Sequence, residues 1–564
     1  MVVQKRDLFF SKKQAREKMR VEVPADIFDR FFQADSASLA KIAINKLGIE
    51  NFSPTSSAFN ARYSAEDLHV LLLVKELLGT KYGGPLVYSA LTAPPTDIDD
   101  IRFRQGITRE LLENAQARQE FENQYKNLVS IVNAYQRLVG ANAGQGSMQD
   151  SYYYPRGDEA ARQFAAKIVL LHEYLRAVEA MQKASFESGL KYLSGYAKSL
   201  SESDTFREMA KFVRAFTGHL TVSANIRISF NELGGISSVN ISPVSETERP
   251  ASERFRTGLQ KLTPFYTDAL IDMTKGFVDQ LLNDILLMAS YLGELEFYRG
   301  ALIFAQRLEQ NGIPTKMPDF TNEAGVNIKA LHNPLILLQD FNDGIRSMRS
   351  VPNDLHFDEQ RKLYVISGPN DGGKSWFLTA VGLAILLAQS GYPIPAEQAV
   401  LHPFDNIFTH FIPKAVITKR AGRFRTELQQ LRYIFENATP NSLILLDEPC
   451  GGTDPGQGVK QSLLVLKSLA RLGADSLFAT HMHPVADEVE RGVYPTASNL
   501  QVEVVMDGKA ELTHRVLPGK AGQSYGELVA HDVGVDEVSL DKLLSRRVSV
   551  SGSAGANADL VNLK

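Results

Sequence analysis

Cysteine is almost missing: Cys450 is the only one in 564 residues. That excludes an internal disulfide framework and fits a reducing compartment. Long apolar runs are missing too. The longest, from Trp376 to Leu387, falls short of the roughly 20 residues a bilayer-spanning helix needs. The opening stretch, MVVQKRDLFFSKKQAREKMR, carries charge where a secretion signal needs an apolar core. An excess of one charge is absent, since 61 Lys and Arg stand against 65 Asp and Glu, for a net charge of −4. Contact with nucleic acid must then come from local patches rather than from a basic chain. These absences lead us to expect a soluble protein with no membrane partner, in the cytoplasm, nucleus or nucleoid. Internal repeats are also lacking. The length exceeds what one core supports and suggests roughly three or four domains.

What is present divides the chain in two. Residues 1–60 mix charge and apolar positions and read as an N-terminal extension. From Ser64 the spacing becomes helical, as in SAEDLHVLLLVKELLG, with a capping serine and leucines three and four apart. Helical periodicity continues to about residue 311, broken by the Gly-, Ser- and Pro-containing loop 140–159 and by an alternating stretch, 221–244, that predicts a short β excursion. Beyond residue 312, short apolar strands (RKLYVIS, SLILLD, DSLFAT) alternate with helices, the pattern of a parallel α/β sheet. LQVEVVM and AELTHRV flank Asp507-Gly508 and predict a hairpin. The Ser/Gly/Ala-rich tail, 546–564, has the composition of disorder.

The chemistry concentrates in the second half. Gly368-Pro369-Asn370-Asp371-Gly372-Gly373-Lys374-Ser375 satisfies G-x-x-x-x-G-K-[ST] after a strand and before a helix. Glycines let backbone N–H groups curl around phosphate oxygens, and the helix N-terminus adds its positive end. Lys374 is placed to reach the β- and γ-phosphates of ATP, and Ser375 to bind Mg²⁺. Trp376, the next residue, joins the nucleotide-binding set. In SLILLDEPCGGTD a buried strand ends in Asp447, a second Mg²⁺ ligand, followed by Glu448, which can polarise the attacking water. A third strand ends in FATHMHP, where His481 can hydrogen-bond the γ-phosphate or that water. Cys450 reads as a small filler.

Together these motifs resemble the MutS family, ATP-dependent DNA clamps of mismatch repair, whose members carry a GPN-x-GGKS loop, a DE…GT segment and an ATH-x-H strand end. ALHNPLI (330–336), VPNDLHF (351–357) and VLPGKAGQSYGELVA (516–530) are similar to further family segments, and PPTDIDDIRFRQGITRELLEN less specifically to the entry into the helical lever. The resemblance places Asn353 near the nucleotide base and implies a homodimer joined through the ATPase domains, with two composite ATP sites.

Three departures stand out. The chain has no room for the family's N-terminal mismatch reader, and its Phe-x-Glu tripeptides, those at Phe206 and Phe357 among them, lie far from the start. The family's Gly-x-Ser-Thr-Phe signature is replaced by KRAGRFRTELQQL, residues 419–431. Between Lys414 and Arg425, the residues Lys414, Lys419, Arg420, Arg423 and Arg425 form either a solvated basic face or, through Arg423, Arg425 or Thr426, a contact to the partner's ATP. No endonuclease domain follows the ATPase. The basic stretch 11–20 is either a charged helix face or a phosphate-gripping arm.

The resulting expectation is an α/β P-loop NTPase domain of ABC-like architecture (312–545) preceded by a mostly α-helical lever and clamp region (61–311). Its function would be ATP-driven switching of a dimeric clamp on mismatched, branched or recombination double-stranded DNA. The alternative is an ATP-switched protein acting on RNA or ribosomes.

Overall fold

In the computed structural model, the residues described are 8–9, 61, 64–78, 82–142, 159–217, 223–230, 236–244, 264–345, 349–369, 372–411, 420–506, 510–522 and 533–554. The basic stretch 11–20 and the loop 143–158 lie outside them. The chain divides into two compact units, one built on residues 74–307 with 390–392, the other on 58–73, 308–389 and 393–564.

In chain order the helical part comprises α1 (Val70–Leu78), α2 (Gly84–Thr92), α3 (Ile98–Glu113), α4 (Ala115–Asn142), α5 (Glu159–Lys183), α6 (Lys191–Ser201) and α7 (Asp204–Thr217). An antiparallel pair, β1 (Ser223–Phe230) and β2 (Ile236–Val244), forms the anticipated β excursion; α8 (Pro264–Ala289) and α9 (Tyr291–Gln310) follow. Local chemistry sets these boundaries. Asp97 caps α3 by accepting from Asp99 N at 2.7 Å, and Asp99 and Asp100 complement the positive end of the helix. Long α4 and α5 pack together, with α8 against both. Within this unit Arg104 is wholly buried, yet its guanidinium lies 5.0 Å from the Phe9 ring centre and 5.6 Å from that of Phe297. Its Nε donates to Phe9 O at 3.0 Å, so ring faces and a carbonyl replace water around the cation.

The second unit holds two sheets. The first is small: β3 (Asp319–Phe320), β7 (Gln398–Leu401), β4 (Val326–Leu331) and β5 (Asn353–Phe357), in that order and mostly antiparallel. Between β4 and β5 comes α10 (Pro334–Asp343), capped by Asn333, started by proline and stopped by left-handed Gly344. The larger sheet runs β12-β11-β6-β10-β9-β8. It is formed by β6 (Leu363–Ser367), β8 (Ile407–His410), β9 (Leu443–Asp447), β10 (Asp475–Thr480), β11 (Ala497–Met506) and β12 (Ala510–Pro518). All neighbours are parallel except β11 and β12, which form the expected hairpin; residues 507–509 lie outside the described set. β6 and β10 are buried at every position, as strands covered on both faces must be. Around this sheet run α11 (Lys374–Gln389), α12 (Arg420–Asn437), α13 (Pro455–Leu472) and α14 (His483–Glu490).

The last helix, α15 (Glu537–Ala554), extends into the tail whose composition suggests disorder. Once a helix is nucleated, each further residue adds a hydrogen bond for one more fixed backbone position.

Candidate active site

Strand register builds the site. Ser367 of β6 lies opposite Thr480 of β10, and Ala479 of β10 opposite Asp447 of β9. Three motifs remote in sequence therefore emerge side by side at the carboxyl edge of parallel strands, where ligands of open α/β sheets bind.

The loop after β6 needs its glycines. Gly368 has φ +152°, and a Cβ there would stand 3.0 Å from Val502 Cβ. Gly373 has φ +95°, and a Cβ would stand 2.9 Å from His514 Nδ1. The backbone is thus left bare between β11, β12 and the start of α11, a cradle that fits phosphate. Asn370 and Asp371 lie outside the described residues. Lys374 is buried, and its Nζ donates to Gly368 O at 3.0 Å and Pro369 O at 2.9 Å. Its ammonium is also 3.7 Å from Glu448 Oε1.

Asp447 ends β9 near the Ser375 hydroxyl, which favours its ionised form. Burial pushes its carboxyl above the usual range, and its buried Oδ1 has no hydrogen-bond partner among the described residues. An anionic oxygen left without a donor beside a hydroxyl is what a hard cation requires, so Ser375 and Asp447 fit Mg²⁺.

Glu448 has φ +48°, a left-handed conformation uncommon outside glycine. Its N–H donates to Ala479 O at 2.9 Å, which pins the turn. The carboxylate meets His481 Nδ1 at 3.2 Å. The hydrogen bond with His481 lowers the Glu448 carboxyl below its ordinary value and raises the His481 imidazole above its own. Glu448 is therefore held ionised, the form that can accept a proton from water. Cys450, also left-handed, is buried and its thiol is pushed up to about 11, so it stays protonated.

Asn353 uses its amide on β12: Oδ1 accepts from Val516 N at 2.6 Å and Nδ2 donates to His514 O at 3.2 Å. It thereby holds the strand segment whose His514 ring lies over Gly373. Trp376 is 46% exposed beside the loop, its carbonyl accepting from Asn333 Nδ2 at 2.8 Å. Of the altered signature, Arg425 and Thr426 are exposed on α12; Lys414 and Lys419, and the side chains of Arg420 and Arg423, lie outside the described set.

Sequence reasoning missed three neighbours. His514 carried no motif, only a place in a predicted hairpin. His410 closes β8, buried, its Nδ1 2.9 Å from Gln430 Oε1, and burial keeps it below its ordinary range beside the Glu427 and Asp447 carboxylates. Glu427 of α12 is buried against Gly452, where a Cβ would stand 2.7 Å from its Oε1. A polar residue ending an apolar strand, as in DNIFTH, was the one signal for His410.

Residues 364–543 match MutS domain V. Along 80% of its length the chain is 25% identical to the DNA mismatch repair protein MutS of Geobacillus sp. (strain WCH70), covering 56% of that protein. Along 82% it is 26% identical to DNA mismatch repair protein MutS of Halothermothrix orenii, covering 55%. Over 232 residues, 41% of this chain and 27% of the relative, identity reaches 33% with DNA mismatch repair protein MutS of Thermotoga petrophila. The chain spans about half the length of the two relatives it matches along most of its own length.

Proposed function

We propose that this chain, a relative of the MutS proteins, is an ATPase of ABC-like architecture that switches a dimeric clamp on mismatched, branched or recombination DNA. The observation that carries this reading is the meeting of Lys374, Asp447 with Ser375, and Glu448 with His481 at one sheet edge. In it, residues 312–545 are the ATPase and 61–311 the lever and clamp.

Lys374 exchanges the Gly368 and Pro369 carbonyls for the β- and γ-phosphate oxygens of ATP, a better match for an ammonium. The bare backbone at Gly368, Gly372 and Gly373 receives the phosphates, with Asn370 and Asp371 completing the loop. Ser375 and Asp447 hold Mg²⁺, which when bound neutralises phosphate charge. Glu448 orients the attacking water and takes its proton, while His481 keeps that carboxylate ionised and aimed. Asn353 positions β12, and Trp376 and His514 flank the site. Arg423, Arg425 or Thr426 of α12 contact the partner's nucleotide. Self-association is supported by the apolar groups exposed around α15, among them Val533, Val535, Val538, Leu543 and Leu544. The DNA substrate rests on the relatives, which carry the name DNA mismatch repair protein.

The test is equilibrium binding to homoduplex, mismatched duplex, four-way junction and structured RNA, with and without a non-hydrolysable ATP analogue, at two salt concentrations. A preference for mismatch or junction that changes with nucleotide is expected. Binding to RNA alone, or DNA binding indifferent to nucleotide, would overturn the DNA clamp.

A further inference from the structure

Two residues near the start of the chain are held in a way the nucleotide site does not explain. Leu8 and Phe9 form a turn outside any helix or strand, yet both are fully buried, 0% and 1% exposed. Their surroundings come from α3 and α9, backed by residues 390–392, all within the same compact unit.

Side chains read the backbone of this dipeptide. Leu8 N donates to Glu294 Oε2 at 2.8 Å, Tyr298 Oη donates to Leu8 O at 2.5 Å, and Arg104 Nε donates to Phe9 O at 3.0 Å. The Phe9 ring is enclosed as well. The Arg104 guanidinium lies 5.0 Å from its centre, Phe297 meets it edge-on at 5.0 Å and Tyr298 stacks on it at 6.2 Å. A second layer fixes these groups. Tyr392 Oη donates to Phe297 O at 2.5 Å. Gly391, with φ +84°, lets the chain pass so near that a Cβ would stand 2.5 Å from Arg104 Cβ.

Helices and strands satisfy their backbone with backbone. Here a carboxylate, a phenol and a guanidinium do so, and an aromatic anchor fills a desolvated pocket, which is how peptide-binding sites are built. The dipeptide is also remote from its pocket in sequence, 95 residues from Arg104, 286 from Glu294 and 290 from Tyr298. A ligand joined to its pocket by its own chain is present at high effective concentration, so contacts of modest strength keep it seated.

We infer that α3 and α9 form a recognition pocket for a Leu-Phe peptide, and that residues 8–9 are its tethered ligand, a separable strap and not a part of the helical core. Glu294 reads one N–H, Tyr298 and Arg104 read two carbonyls, and the aromatic faces select the ring. The pocket therefore accepts the same segment from a separate peptide once the chain's own dipeptide is removed.

The experiment titrates a fluorescent peptide of residues 4–13, QKRDLFFSKK, with the full chain carrying Leu8→Ala and Phe9→Ala, read by anisotropy. Saturable binding is expected. The wild-type chain should bind at least about tenfold more weakly, because its own dipeptide competes. Phe9→Ala within the peptide should weaken binding at least about a hundredfold. Tyr298→Phe, added to the receptor, should weaken it about tenfold by leaving Leu8 O without that donor. Absence of binding to a receptor that keeps its helical circular dichroism would overturn the assignment. So would equal binding to wild type, equal binding of a scrambled peptide, or insensitivity to Phe9→Ala in the peptide or to Tyr298→Phe. If the double variant fails to fold, the wild-type chain decides. Saturation-transfer NMR with millimolar peptide should then show contact that the Phe9→Ala peptide lacks, and no difference between the two peptides refutes the pocket.

Discussion

His481 Nδ1 stands 3.2 Å from Glu448 Oε1, and the two groups shift each other in opposite directions, carboxyl down and imidazole up. A histidine from one strand end thus sets the protonation state of a carboxylate from the next.

Glu448→Gln should keep ATP bound and lose hydrolysis by ~10²-fold or more, because the carboxylate handles the water and not the triphosphate. Lys374→Ala should lose ATP binding itself. Filter binding of ATP beside single-turnover phosphate release separates the two. Equal hydrolysis by wild type and Glu448→Gln would remove Glu448 from its role.

His481→Ala should shift the acid limb of the hydrolysis profile to higher pH. The hydrogen bond with His481 is the largest cause of the lowered Glu448 carboxyl, so its loss raises that carboxyl and protonates it earlier as pH falls. Single-turnover rates from pH 5 to 9 measure this. A uniform drop with an unmoved acid limb would assign His481 to contact with phosphate or water instead.

Asp447→Asn should stabilise the nucleotide-free protein while abolishing Mg²⁺-dependent hydrolysis. Burial raises the Asp447 carboxyl, so its contribution to stability is complete below the ordinary carboxylate range and lost as pH rises through the raised value. At neutral pH the buried charge is destabilising, and the amide avoids that cost. Thermal melts without nucleotide at pH 7 should show a higher midpoint for the variant; a lower one contradicts the account.

Glu296 should make the helical unit lose stability between mildly acidic and neutral pH. Its carboxylate is buried, accepting from Gly83 N at 2.5 Å and Tyr125 Oη at 3.0 Å, and burial pushes it up to about 7 despite those bonds. The proton it retains stabilises the fold fully below its ordinary value of 4.5, and that contribution disappears as pH passes about 7, worth up to about 3 kcal/mol. Denaturant unfolding of wild type and Glu296→Gln at pH 5 and pH 8 should show a smaller difference for the variant. Identical pH slopes would exclude Glu296 as the source.

Sequence alone determined the features whose requirements are local. A phosphate loop needs glycines at fixed spacing between a strand and a helix, and residues 368–375 state that pattern whatever surrounds them. Buried parallel strands must be apolar throughout, so β6, β9 and β10 were legible, as were the carboxylates at the end of β9. The hairpin of β11 and β12 and the β excursion were legible through alternation. Short β3, β4, β5 and β7 were not recognised as a second sheet, because their pairing joins segments separated by whole helices.

Tertiary structure decided everything that depends on what lies across a strand. Register set Ser367 beside Thr480 and Ala479 beside Asp447, bringing the three motifs together. Packing placed Lys374 on its own loop carbonyls, His514 over Gly373, and Glu427 against Gly452. It also left Gln124 Oε1 and Asp447 Oδ1 buried without donors among the described residues. Burial and nearby charge depend on the neighbours that folding brings, and those neighbours are not written in the residues on either side.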